Sequence, residues 1–191
     1  MGVIPKFTCG EEGPEFVGGK KHWLVTFDRV PHLMLERLTQ LLESSITERD
    51  ASVHDPPPPL CTFSSVVEPS ISILAYLKRI SRGAVCCATV FVFASIYLDR
   101  ALRTKKLVIT KLSVHRAVLS AVSTAAKFVD DDVMQDSVFA KVGGVTPFEF
   151  GRLERIFVGE VLEWKLFVSV EEMNNAAELL MPLRGGVAGY S

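Results

Sequence analysis

The chain has 191 residues, 48% hydrophobic and 23% charged, which is enough for one globular domain with its own core and a tail or two. A formal net charge of −1 excludes a global basic field that would gather nucleic acid, and equally an acidic, self-solvating composition. Four cysteines, two of them adjacent at Cys86 and Cys87, show neither metal-type pairing nor a secreted disulfide spacing, so buried reduced thiols in an intracellular compartment are expected.

The opening MGVIPKFTCGEEGPEFVGG has no apolar signal core, and Gly2 with Thr8 is a poor match to a myristoylation signal. Residues 1–30 carry glycine, proline and charge without a sustained period and read as irregular. Trp23, Leu24, Val25 and Phe27 fit either a short strand or a docking segment. From Pro31 a helical stripe begins: Leu35, Leu38, Leu42 and Ile46 share one face, opposite Glu36, Arg37, Gln40 and Glu43, predicting a helix over about 32–48. A linker follows over 49–68. Pro56 to Pro59 favour an extended polyproline II spacer there, and no flanking basic residue orients them as an SH3 or WW ligand.

Pro69 is expected to open the next helix, since proline at the first helical position gives up an amide that has no partner anyway. Ile73, Leu74, Leu77 and Ile80 form its apolar face, Lys78, Arg79 and Arg82 its polar one, and Gly83 its end. The run from Ala84 to Arg103 is apolar on almost every side until Asp99 and Arg100. Its uncharged part spans about 15 residues, short of the ~20 needed to cross a membrane, so it reads as a helix buried by its neighbours. Ser113 to Asp132 is the predicted hub. Ser113 is expected to cap it, and Ala117, Val118, Ala121, Val122, Ala125 and Ala126 leave room for close packing. Lys127 stands in the last turn, where a cation complements the helix dipole; Asp130, Asp131 and Asp132 read as a solvated turn.

Asp136 is expected to cap a short helix over 137–142 that Gly143 and Gly144 terminate. Thr146-Pro147-Phe148-Glu149 reads as a capping box with proline at the first helical position. The helix it opens should bury Phe150, Leu153, Phe157, Val161 and Trp164. Ser169 with Glu172 forms a second capping box for a last amphipathic helix to about Met181, and 185–191 should fray. The fold class is therefore all-α, six to seven helices around one core, with no membrane span.

Chemistry is thin. The four histidines His22, His32, His54 and His115 have no second ligand at helical spacing, and His115 reads as a hydrogen-bonded packing residue. The three aspartates lack the spaced carboxylates and glycine of a calcium loop. No phosphate loop and no nucleophile with a base is present, so no catalytic residue, metal or cofactor is assigned. The residues themselves point to a helical binding module rather than an enzyme.

Four segments in order, FSSVVEPSISILAYLKRI, VFVFASIYLDRAL, SVHRAVLSAVSTAAKFVDD and FAKVGGVTPFEFGRLERIFVGEVLEWKLFVS, resemble the cyclin box, and specifically the P/U-type cyclins of the phosphate-pathway class. The resemblance covers roughly residues 33–170. It implies a five-helix cyclin box over 69–166, preceded by an N-terminal helix and followed by a C-terminal helix and tail. It also implies a regulatory subunit that binds and activates a cyclin-dependent protein kinase, monomeric without that kinase. By the same resemblance Lys127 of AAKF and Glu154 of LERIF grip the kinase. Independently of the resemblance, a partner helix laid across two helix ends needs apolar surface, for which Phe128, Val158 and Leu162 are the candidates, with a place in the core as their alternative. Asp99 of YLDR has a structural role, paired with a basic residue of the preceding helix for which Arg79 is the candidate. The rival readings are a helical adaptor for a non-kinase partner and a transcription-factor-like nucleic-acid module.

Overall fold

The computed structural model describes residues 16–17, 20–21, 30–51, 62–104, 106–131 and 134–181. The proline run, Trp23 to Phe27, His22, His54 and the tail lie outside these residues. Two two-residue strands, β1 (Phe16–Val17) and β2 (Lys20–Lys21), pair antiparallel ahead of the helices. Seven α-helices then follow among the described residues: α1 (His32–Ala51), α2 (Ile73–Gly83), α3 (Ala88–Arg103), α4 (Val114–Val129), α5 (Asp136–Gly143), α6 (Pro147–Ile156) and α7 (Val170–Leu180). A π turn, Phe157–Val161, continues α6. The helical class expected from the sequence is the class observed.

α4 is the hub. Its apolar side chains are withheld from solvent around most of the circumference: Ala117, Val118, Leu119, Ala121, Val122, Ala125 and Ala126 are all buried. Short side chains let α3, α2, α5 and α6 approach it closely. α3 packs along α4 and against α7, and Val90, Phe91, Ala94, Tyr97, Leu98 and Ala101 are all buried, as an all-apolar helix requires. α1 contributes Met34, Leu35, Leu38, Leu42 and Ile46. Two glycines set close crossings. A Cβ at Gly143 would lie 2.3 Å from Leu119 Cδ2, and one at Gly83 would lie 2.5 Å from Val142 Cγ2.

Local signals explain most boundaries, and several differ from expectation. α2 starts at Ile73 and not at Pro69, because Ser72 supplies the cap, its hydroxyl accepting from Ala75 N at 3.2 Å. α3 starts at Ala88 and not at Ala84, because Val85 takes φ +49°, a left-handed conformation no helix continues through. Ser113 does sit at the start of α4, but its hydroxyl makes no cap bond. It donates to Val108 O at 2.6 Å and accepts from Thr110 N at 2.9 Å, tying the preceding turn. Asp136 opens α5 as its first residue, with Gln135 at the cap, and Gly144 ends it at φ +72°. Thr146 caps α6 by accepting from Glu149 N at 3.1 Å. The reciprocal half of the box is absent, because the Glu149 carboxylate reaches Arg116 on α4 at 2.6 Å. Ser169 and Glu172 form the complete capping box of α7.

The largest departure is Trp164, expected in the core and found 73% exposed. The helix does not run that far: the π turn closes with Leu162 N donating to Phe157 O, and Glu163 and Trp164 then adopt φ +52° and +60°. That reversal turns the indole outward while Phe157, Val161 and Leu162 stay buried. No helix among the described residues is long and apolar enough to cross a membrane.

Candidate functional site

Lys127 ends α4, Asp136 begins α5 and Glu154 lies in the second half of α6. Three helix segments thus bring one cation and two carboxylates together. The Lys127 ammonium lies 2.6 Å from Asp136 Oδ1 and 2.7 Å from both Glu154 oxygens. It also stands 5.7 Å from the centre of the Phe150 ring, which forms the floor beneath it. The Lys127 and Glu154 side chains are 32% and 18% exposed, so the pair is half sheltered from water and its geometry is held by packing. Burial alone would lower the lysine's pKa, but hydrogen bonds from the ammonium to Asp136 and Glu154 outweigh it and leave the pKa raised. Lysine is firmly charged here. The cluster carries a net −1, one ammonium against two carboxylates, and offers their remaining lone pairs as acceptors.

Beside it lies apolar surface. Phe128, next to Lys127, is 47% exposed and rests against Phe93 of α3, ring centres 6.0 Å apart. Val158 in the π turn is half-buried. Leu162 is only 2% exposed and belongs to the core, so it is not available as a surface contact; the π turn rotates it inward from where a continuous α-helix would place it. Phe148 in the first turn of α6 is 86% exposed and Met134, between α4 and α5, is exposed as well. Neither was singled out from the sequence, although Phe148 stands off the buried 150–153–157 stripe, a sign of outward placement. Asp136 gave no such sign, since only the fold carries α5 back to the end of α4.

The expected pairing of Asp99 with Arg79 does not form. Asp99 is exposed and pairs with Arg103 one turn along α3 at 2.8 Å, while Arg79 donates to Lys141 O at 3.2 Å. The structural basic residue is instead Arg100, missed in the sequence because its partners are over 60 residues away. It donates to Lys165 O at 2.6 Å and Phe167 O at 2.9 Å, and meets Glu172 at 2.7 Å. Arg100 thereby fixes the segment between α6 and α7 onto α3.

The other chemically capable groups are packed. His115 is buried, its Nε2 2.9 Å from Ile71 O and its ring edge-on to Tyr76. Nε2 can donate to the Ile71 carbonyl, and burial lowers the ring's pKa, favouring the neutral form. Cys86 and Cys87 are free thiols, with burial pushing Cys86 up to about 12. Asp130 is half-buried rather than fully solvated, 3.6 Å from the Cys87 Sγ, and burial raises its pKa. No group of acidic, histidine or cysteine side chains among the described residues is arranged to hold a metal ion.

The family model described as Cyclin matches residues 30–165, most of the chain and all of α1 to α6. The chain belongs to the cyclin family. Among curated relatives it is similar to Cyclin-U3-1 of Arabidopsis thaliana, 36% identical over 126 residues, covering 65% of this chain and 57% of the relative. It is likewise similar to Cyclin-P4-1 of Oryza sativa subsp. japonica, 38% identical over 127 residues, covering 63% and 60%. A PHO85 cyclin-like protein, psl1 of Schizosaccharomyces pombe, is 34% identical over 156 residues, covering 78% and 64%. The chain thus spans somewhat under two thirds of the length of these relatives. The likeness is to P- and U-type cyclins, as the four motifs suggested.

Proposed function

We propose that this cyclin is the regulatory subunit of a cyclin-dependent protein kinase, with no catalytic activity of its own, and that the Lys127–Glu154–Asp136 cluster with Phe128 and Val158 is where the kinase docks. The observation that carries the reading is the pre-formed ion cluster beside exposed aromatic surface at the ends of α4 and α6. A partner helix laid across two helix ends needs an apolar surface for affinity and a few fixed charges for register. A net −1 cluster whose cation is already engaged within the chain suits the partner's N–H donors or a basic side chain, with Phe128 beside them as an anchor.

The regulatory helix of a protein kinase carries a glutamate that must pair with a strand lysine before the phosphates are held correctly. A cyclin that prefers the conformation with that pair intact shifts the kinase population towards it, by as much as its affinities for the two conformations differ. A kinase partner also fits the name of the psl1 relative, which is called PHO85 cyclin-like. The test is purification of the tagged chain with its bound proteins, mass spectrometry of the eluate, and phosphate transfer to a histone substrate. The eluate should contain a protein kinase whose activity depends on the chain. Capture of partners without any kinase would favour the adaptor reading, and salt-sensitive retention of DNA would favour the nucleic-acid reading.

A further inference from the structure

Thr146-Pro147 is the only place in the 191 residues where a serine or threonine precedes a proline. Proline has no amide hydrogen, so a kinase cleft can cover it with apolar side chains and leave no donor unpaired. The step is open to solvent. Thr146, Pro147 and Phe148 are all exposed, and the threonine backbone is extended at φ −73° and ψ 154°. The Thr146 hydroxyl oxygen accepts from Glu149 N at 3.1 Å.

An arginine is already aimed at this turn. Arg116 of α4 reaches the first turn of α6, where one terminal nitrogen meets the Glu149 carboxylate at 2.6 Å. Its Nε and its other terminal nitrogen are buried and have no partner among the described residues. A guanidinium carries five N–H donors, and leaving buried ones unpaired costs stability, so Arg116 has capacity for a second and larger acceptor. The only acidic residue in the first turn of α6 is Glu149. Gly144, two residues before Thr146, lies against Arg79: a Cβ there would stand 3.6 Å from one of its terminal nitrogens.

We infer that Thr146 is a phosphorylation site for a proline-directed serine/threonine kinase, and that Arg116 holds the phosphate once it is made. In the transfer the Thr146 oxygen bonds to the γ-phosphorus of ATP. The bond from that phosphorus to the β–γ bridging oxygen breaks, ADP leaves with the electron pair, and the hydroxyl proton passes to the kinase's aspartate. The new phosphate carries about −1.5 to −2 charges near pH 7, more than a carboxylate, so it takes Arg116 over from Glu149 and fills more of the planar fork. Arg79 adds a second cation from the α2 side. The phosphate thereby ties the start of α6 to α4 within one chain. The site is separate from the Lys127 cluster, and the inference does not depend on where a kinase docks.

The test incubates the whole chain with ATP, magnesium and a purified mitogen-activated protein kinase, then maps the product by peptide mass spectrometry and follows its thermal unfolding. Phosphate should enter at Thr146. Thr146→Val should take up none there, and Pro147→Ala, which keeps the capping hydroxyl, should slow uptake about tenfold. Phosphorylation should raise Tm by about 3 °C in the parent. In Arg116→Gln the rise should be less than half as large, each variant being compared with its own unmodified form; should that variant unfold, Arg79→Gln must still show a smaller rise. By phosphorus NMR the phosphothreonine should titrate below its free value of about 6 and return to it in urea. An unmodified Thr146, with a Thr-Pro model peptide phosphorylated in the same tube, would overturn the inference. So would equal uptake by Pro147→Ala. An unchanged Tm together with an unshifted phosphorus titration would overturn the role given to Arg116.

Discussion

Arg100→Ala removes three interactions at once, the bonds to Lys165 O, Phe167 O and Glu172. Bonds from a charged donor contribute about 1.5–3 kcal/mol each when buried. Here the arginine side chain is 20% exposed and both carbonyls belong to exposed residues that water re-solvates, so the sum overstates the loss. A net cost of about 2 kcal/mol is expected, or about 4–8 °C in Tm for a domain of this size. Arg100→Lys keeps a charge near Glu172 but loses the fork that spans two carbonyls, and a half-exposed ion pair contributes only about 0.5 kcal/mol. The lysine variant should therefore recover less than half of the loss. Thermal unfolding followed by circular dichroism measures both. An alanine variant within about 1 °C of the parent, or full recovery with lysine, would refute the view that Arg100 clamps the α6–α7 segment.

The same clamp has a pH signature. Glu172 is held down to about 2, chiefly by the Arg100 hydrogen bond and then by the Ser169 backbone N–H. A carboxylate depressed in the folded state contributes its stability above the unfolded value of 4.5 and loses it as pH falls towards 2. The stability difference between parent and Glu172→Gln should be flat above pH ~5 and shrink below pH ~4.5; its size is limited by solvent screening. His115 acts in a different window. Burial lowers its pKa from 6.5, only partly opposed by Ile71 O and Glu68, so the unfolded chain takes up a proton that the folded chain refuses. Stability should fall as pH drops below about 6.5, and His115→Gln should flatten that slope in urea titrations at stepped pH. Gly143→Ala drives a methyl to 2.3 Å from Leu119 Cδ2 and should cost about 1–3 kcal/mol by urea unfolding.

Most of the fold was legible because short-range chemistry dictates it. Ser169, Thr146 and Gly144 set helix ends by bonds to residues within four positions, and the alanines and valines of α4 mark the one helix that must be surrounded. Errors arose where a long-range partner or a backbone reversal decided the matter. Glu149 left its own cap for Arg116, 33 positions away, whereas the start of α2 was misplaced for a local reason, Ser72 competing with Pro69 and winning by capping Ala75 N. The π turn, followed by two left-handed residues, carried Trp164 out of the core and Leu162 into it. Apolar periodicity assumes one continuous helix, so it could not foresee that switch. At the site, Lys127 and Glu154 were named from motifs and are brought together in space. Asp136 was read only as a helix cap, because nothing near it in the sequence says that α5 begins against the end of α4.

The most direct measurement is the dissociation constant between the purified chain and a cyclin-dependent kinase recovered with it, compared for the parent, Phe128→Ser and Lys127→Glu combined with Glu154→Ala. Phe128 is half exposed and rests against Phe93, so its serine variant should stay folded with a modestly lower Tm while weakening binding by about 2 kcal/mol, or about thirtyfold. The charge variant should weaken binding at least as much and abolish kinase activation in step. Unchanged affinity and activation in both variants, with both chains folded, would contradict the placement of the kinase on the Lys127–Glu154 surface.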